Sequence, residues 1–331
     1  MQSGNMTGDD RIQFTKEERE VFRKPRTLRL VFDLSLPWLQ AIIGCTIFVA
    51  HPALWTWLIA IILIAGAQHG LSLISHEAAH RLIWPQSRKI NDAIATYLFA
   101  APLLLPFEVY RQRHLIHHRL VSLPGDTKSF YLRDMRGWKF GFEILKSLTG
   151  VDYFLQAVGA IRAGKEEGYE EFASNLRRDQ RSILLVHGVL FLVFTYFDPM
   201  LYGFPTYYFI LWLWPMVTIS FLLGKLRSLV EHQPARTVKW PAQETSYFMG
   251  TPGPMLRSVK ATWLERLFLS KIHFHYHAEH HLWPWISYQY LPTVHKRIWQ
   301  GSGKKLRCIN GCVVTFDPSY TVVLRNVIRG N

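Results

Sequence analysis

The chain has 331 residues, 49% of them hydrophobic and 14% aromatic, with twelve tryptophans and a formal net charge of +14. This balance excludes a disordered polyelectrolyte. The basic residues form no single patch and no nucleic-acid module is recognisable, so nucleic acid is excluded as a partner. Three cysteines, Cys45, Cys308 and Cys312, are too few for a disulfide framework, and three residues rather than two separate the last pair.

Residues 1–30 are polar and charged. No small-residue cleavage site follows a short apolar run, so they do not read as a signal peptide. They predict a cytosolic N-terminal segment with a short helix around Lys16 to Arg23. Leu34 to Ala50 and Ala53 to Ile74 are apolar runs of membrane length, separated at His51-Pro52. Ile183 to Phe197, extended towards Leu201, and Tyr207 to Leu223 form a second pair, joined by Asp198 to Pro205. The prediction is an all-α integral membrane protein. It has four transmembrane helices in two hairpins and a cytosolic helical cap that carries the histidine clusters. Ala93 to Phe107 is apolar but short and holds Pro102 and Pro106, which marks a re-entrant or interfacial segment. Trp138 to Gly164 has apolar residues at helical spacing among Lys139, Lys146, Arg162 and Lys165. It fits one or two helices at the headgroup level. The expected boundaries are 1–30, a membrane and metal domain over 31–300, and a small appendage over 301–331. Within that appendage, residues 312–316 and 320–324 read as a short strand pair.

Charge placement gives the orientation. No Lys or Arg occurs from Val31 to His80 or from Ser182 to Gly224. The 38 basic residues divide as 7 before the first pair of spans, 16 between the pairs and 15 after the second. If each pair goes out and back, all lie on one side. The positive-inside rule then puts both termini and the central region in the cytosol; a bacterial inner membrane is the expected location.

Histidine spacing carries the chemistry. Fifteen histidines include two HxxHH clusters, His114/His117/His118 and His277/His280/His281, and one HxxxH, His76/His80. Random placement would give each HxxHH about 0.03 times. On a helix, positions i, i+3 and i+4 share a face, so each cluster aims several imidazoles into one space. The predicted topology places all three clusters on the cytosolic side. His232, after Glu231 and past the fourth span, is a ninth candidate ligand. One zinc uses three or four protein ligands, so this many imidazoles suit two metal ions with open positions. Beside a bilayer the available substrate is hydrocarbon, whose C–H bond needs an oxidant made from O₂. Glu77, Asp92, Glu231 and Glu279 are candidates to accept the second ring N–H of ligand histidines. Arg227 either pairs with Glu231 at i, i+4 or faces lipid phosphate. His69 and His187 lie inside spans, where an ionisable group is a functional candidate. Trp212 and Trp214 are candidates for lining an acyl channel. Alone, His76-Glu77-Ala78-Ala79-His80 also fits the HExxH of a zinc protease, a reading that leaves both HxxHH clusters and His232 without a task.

The order HxxxH, HxxHH, EH, HxxHH over four spans resembles the membrane-bound fatty acid desaturase superfamily, from about Ser75 to Ile298. His76 to His80 is followed by Asn91-Asp92. Tyr110 to His114 leads into Asp126. Glu231-His232 precedes Arg236-Thr237, and His277 to Pro284 leads to Tyr288, Leu291-Pro292 and His295. The resemblance implies two iron ions held by the eight cluster histidines and His232, with O₂ as co-substrate. The implied reaction puts a double bond into an acyl chain of a membrane lipid. A hydroxylase or ketolase acting on a carotenoid, sphingolipid or other hydrocarbon is the alternative within the superfamily. Electrons would come from a separate donor, ferredoxin-like or cytochrome b5-like with its reductase, because His51-Pro52-Ala53-Leu54 lacks the His-Pro-Gly-Gly of a fused cytochrome. His273, His275, Trp283 and Trp285 depart from the residues common in relatives.

Overall fold

The computed structural model describes residues 12–121, 125–128, 131, 135–166, 169–198, 206–232, 255–300, 306–310 and 312–329. The connection from Pro199 to Pro205, the extension of the third span towards Leu201, and Arg236-Thr237 lie outside the described residues. The chain divides into two compact units. A span unit comprises residues 26–114 and 141–225, and a sheet unit comprises residues 1–25, 115–140 and 226–331.

In the span unit, α2 (Thr27–Ala50) packs along α3 (Leu54–Ala79), with His51 to Ala53 between them. Gly44 permits the close approach. A Cβ there would meet Ile64 Cγ1 at 3.0 Å and the Ala60 carbonyl at 3.1 Å, the small-residue contact by which apolar helices associate without a hydrophobic drive. Gln40 donates to the Leu63 carbonyl at 2.8 Å. Four helical segments, Lys16–Ala50, Leu54–Ala79, Ala173–Phe197 and Tyr208–His232, are long and apolar enough to cross a membrane.

The segment expected to be re-entrant is a bent pair. α4 (Arg88–Ile94) continues through a π-turn (Ala95–Ala100) and a 3-10 turn (Ala101–Leu103). It then bends by 94° into α5 (Phe107–Leu120). Leu104 is left-handed at φ 52, just before Pro106, and proline disfavours continued helix at this corner. Irregular backbone in apolar surroundings needs partners from protein. His187 Nε2 donates to the Ala101 carbonyl at 3.0 Å, and Trp212 Nε1 donates to the Pro102 carbonyl at 2.9 Å. His187 Nδ1 then accepts from the Tyr208 hydroxyl at 2.6 Å. His187 is thus a buried anchor for the bend.

The stretch expected at headgroup level forms α6 (Trp138–Leu148) and α7 (Val151–Glu166), followed by α8 (Tyr169–Phe197). Phe142, Leu145, Phe154, Leu155 and Val158 on α6 and α7 are exposed. The last span begins with π-turns Tyr208–Leu213 and Met216–Ser220 on either side of Pro215 and ends as α9 (Phe221–His232). Lys225 on α9 pairs with Glu143 of α6 at 2.8 Å and with Asp152 of α7, tying these helices to the span.

The sheet unit corrects the C-terminal expectation. β1 (Met255–Val259) pairs in parallel with β3 (Cys312–Asp317), and β2 (Leu306–Ile309) pairs with β3 antiparallel, giving the order β1-β3-β2. The run from Tyr320 is a helix, α13 (Tyr320–Arg329), not a strand. Ser319 Oγ accepts from the Val322 amide at 3.2 Å, capping its start. Tyr320 and Val323 pack with Val230, Val259 and Ala261, with Leu324 and Val327 against them. A predominantly helical chain thus also holds a small sheet. α10 (Trp263–Phe268), α11 (His277–Leu282) and α12 (Leu291–Trp299) complete the unit. The N-terminal helix α1 (Lys16–Arg23) has the expected bounds and a capping box between Thr15 and Glu18. Phe14 rests on Trp283 and Trp285 with ring centroids 5.3 and 5.5 Å away.

Candidate metal centre

Each unit gathers its own set of imidazoles. In the span unit, His76 lies in the last turn of α3, His80 caps that helix, and His114 comes from α5. His80 Nε2 is 2.8 Å from His114 Nε2, and the His76 and His114 rings are 4.0 Å apart. One ligand atom from each of the three lies within 4.8 Å of the others. The i, i+4 spacing places His76 and His80 on one face. Tyr110, one turn before His114, lies parallel to its ring at 5.6 Å. Asn91 donates to the Ala78 carbonyl at 2.9 Å, which holds the end of α3 where His80 sits. Glu77 is buried in the same turn.

Asp92 has a different task from the one expected. It binds Arg111 on α5 and Arg88, with no ligand imidazole among its described contacts. Arg111 is 3% exposed and also pairs with Glu108 at 2.9 Å. A guanidinium so buried requires carboxylate partners, and that requirement claims Asp92.

In the sheet unit, α5 supplies His117 and His118, α9 supplies His232, and α11 supplies His277, His280 and His281. His232 Nε2 faces His277 Nε2 at 2.9 Å and His117 Nε2 at 3.2 Å. His118 and His281 are stacked at 4.0 Å, and His118 and His280 are 5.0 Å apart. Ligand atoms lie within 4.8 Å of one another in His117, His232 and His281, in Glu231, His232 and His277, and in His118 and His280.

Hydrogen bonding fixes how these rings present themselves. His117 Nδ1 is 2.8 Å from Asp126 Oδ1, both side chains being fully buried. A carboxylate only accepts, so the proton sits on Nδ1 and the Nε2 lone pair points at His232. Asp126 also accepts from the Tyr131 hydroxyl and from the Lys128 amide at 2.8 Å. Burial opposes the Asp126 charge, but the bonds from His117, Tyr131 and the Lys128 amide outweigh it and keep its pKa below the usual range. Burial lowers His117 to about 4. It pushes His277 and His281 well below the ordinary value, with neighbouring imidazoles adding to the shift. These rings are therefore neutral at pH 7, the form that ligates a metal. His232 Nε2 faces two other Nε2 atoms and carries at most one proton. Convergent lone pairs of this kind fit a borderline cation such as iron, copper or zinc.

The remaining carboxylates separate in role. Glu231 Oε2 pairs with Arg227 at 2.9 Å and lies 3.4 Å from His277 Nε2, while Glu231 Oε1 accepts from the Tyr320 hydroxyl at 3.2 Å. Arg227 lies over the Phe274 ring at 4.4 Å. Glu279 accepts from His295 Nδ1 at 2.6 Å and from the Ser258 hydroxyl, so its oxygens serve His295 and β1 instead of a cluster imidazole. Sequence reasoning gave Asp126 no role and missed Tyr131, Tyr320 and Ser258. Asp126 stands nine residues past His117, with no helical repeat linking them. Tyr320 lies 88 residues after His232.

The family model for fatty acid desaturases matches residues 52–309. A curated relative, dihydrorhizobitoxine desaturase of Bradyrhizobium elkanii, is 26% identical over 305 residues, covering 88% of this chain and 82% of the relative.

Proposed function

The chain belongs to the fatty acid desaturase family, and from that premise we propose that it is a membrane-bound di-iron desaturase acting on an acyl chain of a lipid. One observation carries the reading: nine histidines, from four separate stretches of sequence, present converging ligand atoms in both units, with His117 held in its ligating tautomer by Asp126. The donors are of the right type, being clustered imidazoles, at least three of them held neutral by burial. His76, His80 and His114 would be the iron ligands of the span unit, and His117, His118, His232, His277, His280 and His281 those of the sheet unit. Bound iron would supply oxidising power drawn from O₂, enough to break an unactivated C–H bond.

The chain's own residues orient and insulate. Asp126 and Tyr131 fix His117. Arg227 and Tyr320 fix Glu231 beside His232 and His277. Burial excludes water from the rings. The overall change takes two hydrogens from adjacent methylenes and forms a double bond. With two electrons and two protons supplied, O₂ leaves as two waters. The electrons come from a separate ferredoxin-like or cytochrome b5-like donor. Charge placement along the sequence supports an orientation with both termini and the histidines in the cytosol.

The relative's name supports dehydrogenation over hydroxylation, but 26% identity carries no substrate across. The test is lipid profiling of cells with and without the protein. A new acyl chain lighter by two hydrogens supports the reading. A product with one added oxygen moves the assignment to a hydroxylase, and an unchanged acyl profile removes acyl lipid as the substrate.

A further inference from the structure

A deep groove lies within the span unit, away from every histidine of the metal sets. Its volume is about 460 Å³, and its two banks are α2 (Ala41, Cys45, Thr46, Val49) and the last turns of α8 (Val193, Phe197). The pairing of α2 with α3 fixes its depth. Gly44 lies against Ile64 and Ala60, and Ile64 is twelve residues before His76, about 18 Å along a helix. From that level Cys45, Val49 and Ala50 carry the groove towards the link at His51, while Ala41 and Trp38 extend it up to six residues, about 9 Å, towards the histidines. Trp38 and Trp212 also line it and stack on each other at 5.8 Å with 8° between their planes. Trp212 is pinned by its bond to the Pro102 carbonyl. This stack stands at the histidine-facing end.

Water is a poor occupant, because an ordered water needs several polar partners and this lining is almost wholly hydrocarbon and aromatic, with Cys45 and Thr46 as exceptions. The surroundings are the apolar flanks of candidate membrane spans, where the solvent is lipid. We infer that the groove is a binding site for one acyl tail of a bilayer phospholipid, drawn from the leaflet remote from the histidines. The tail is a resident lipid, not the substrate, since the Trp38–Trp212 stack ends the groove about 12 Å short of His76, Trp212 lying beside Gln68 eight residues before it. Bound there, it wedges α2 against α8 and supports the Trp212 anchor of the bend.

The full chain is reconstituted in phosphatidylethanolamine–phosphatidylglycerol vesicles containing a phospholipid with a photoreactive diazirine in one tail. Adducts are mapped by mass spectrometry. The expected result is strong labelling at Cys45, Thr46 and Val193, several-fold above Leu58 and Ile62 on α3, which are exposed lipid-facing controls. Thr46→Trp fills the groove from an exposed position and should abolish that labelling while leaving Leu58 and Ile62 unchanged. Val193→Trp does the same from the opposite bank, so a folding failure in one variant leaves the other to decide. Three results overturn the inference: labelling at the groove equal to the controls, Cys45–Cys45 cross-links showing a second copy in the groove, or displacement of the probe by free fatty acid alone. None depends on catalysis, so the desaturase reading stands or falls separately.

Discussion

Asp126→Asn separates the orienting role of this carboxylate from its bulk. The native carboxylate takes three bonds, from His117 Nδ1, the Lys128 amide and the Tyr131 hydroxyl. Asparagine has nearly the same shape but only one accepting oxygen. If that oxygen keeps His117, the amide nitrogen faces Tyr131, which can turn to accept, and only the charge is lost. If the amide sits the other way, its NH₂ confronts the His117 Nδ1 proton. The ring then moves that proton to Nε2 and gives up the ligating lone pair. Loss of a partner of this kind costs 10–100-fold in metal affinity as a rule, about 1.4–2.8 kcal/mol. His117 already sits near pKa 4 because of burial, and Asp126 partly offsets that fall. Removing the carboxylate lowers it further, so the ring stays neutral and the loss is the same at pH 6.5 and pH 8. The assay is chelator competition for bound iron in the purified membrane protein at both pH values. Iron affinity equal to wild type would refute the orienting role. A loss confined to the lower pH would point to protonation of the ring instead.

Tyr320→Phe removes the hydroxyl bonded to Glu231. A hydrogen bond contributes about 0.5–1.5 kcal/mol net, so bound iron and melting temperature should both fall, and unchanged iron retention would show that the C-terminal helix does not support the centre. Arg111→Met strands Asp92 and Glu108. Breaking a buried pair costs about 3–5 kcal/mol, but Asp92 is 25% exposed, so the loss expected in a denaturation experiment is nearer 2 kcal/mol, discounted for screening. His187→Ala frees the Ala101 carbonyl and should destabilise the span unit while leaving the iron content of the folded fraction intact; lost iron in a well-folded variant would give His187 a role at the metal. Labelling of Lys139 or Lys146 from the cytosolic side only is expected from the charge distribution, and labelling from the outside would reverse the topology.

What could be read from the sequence follows physical range. The bounds of α1 were legible because Thr15 and Glu18 form a local capping box. The bend near Pro102 and Pro106 was legible for the same reason, since proline acts on its own neighbours. The histidine clusters were legible because helical spacing aligns i, i+3 and i+4. The run from Tyr320 misled, because Tyr, Thr and Val favour strands, yet Tyr320, Val323, Leu324 and Val327 repeat at i, i+3, i+4 and i+7, and Ser319 caps the first turn. β1 left no readable mark, since its partner β3 begins 57 residues later and a parallel pair has no connecting turn to betray it. The partners of carboxylates were the least accessible. Asp92 and Glu279 sit beside histidines in sequence but are claimed by Arg111 and His295, and Asp126 reaches His117 across a turn that no periodicity encodes.

The histidines are proposed to hold two irons. The most direct measurement is metal analysis of the purified protein, beside His117→Ala and His280→Ala. Nine imidazoles in this arrangement predict about two irons per chain, reduced in both variants together with turnover. One zinc per chain, or full iron and full activity in either variant, would contradict the account.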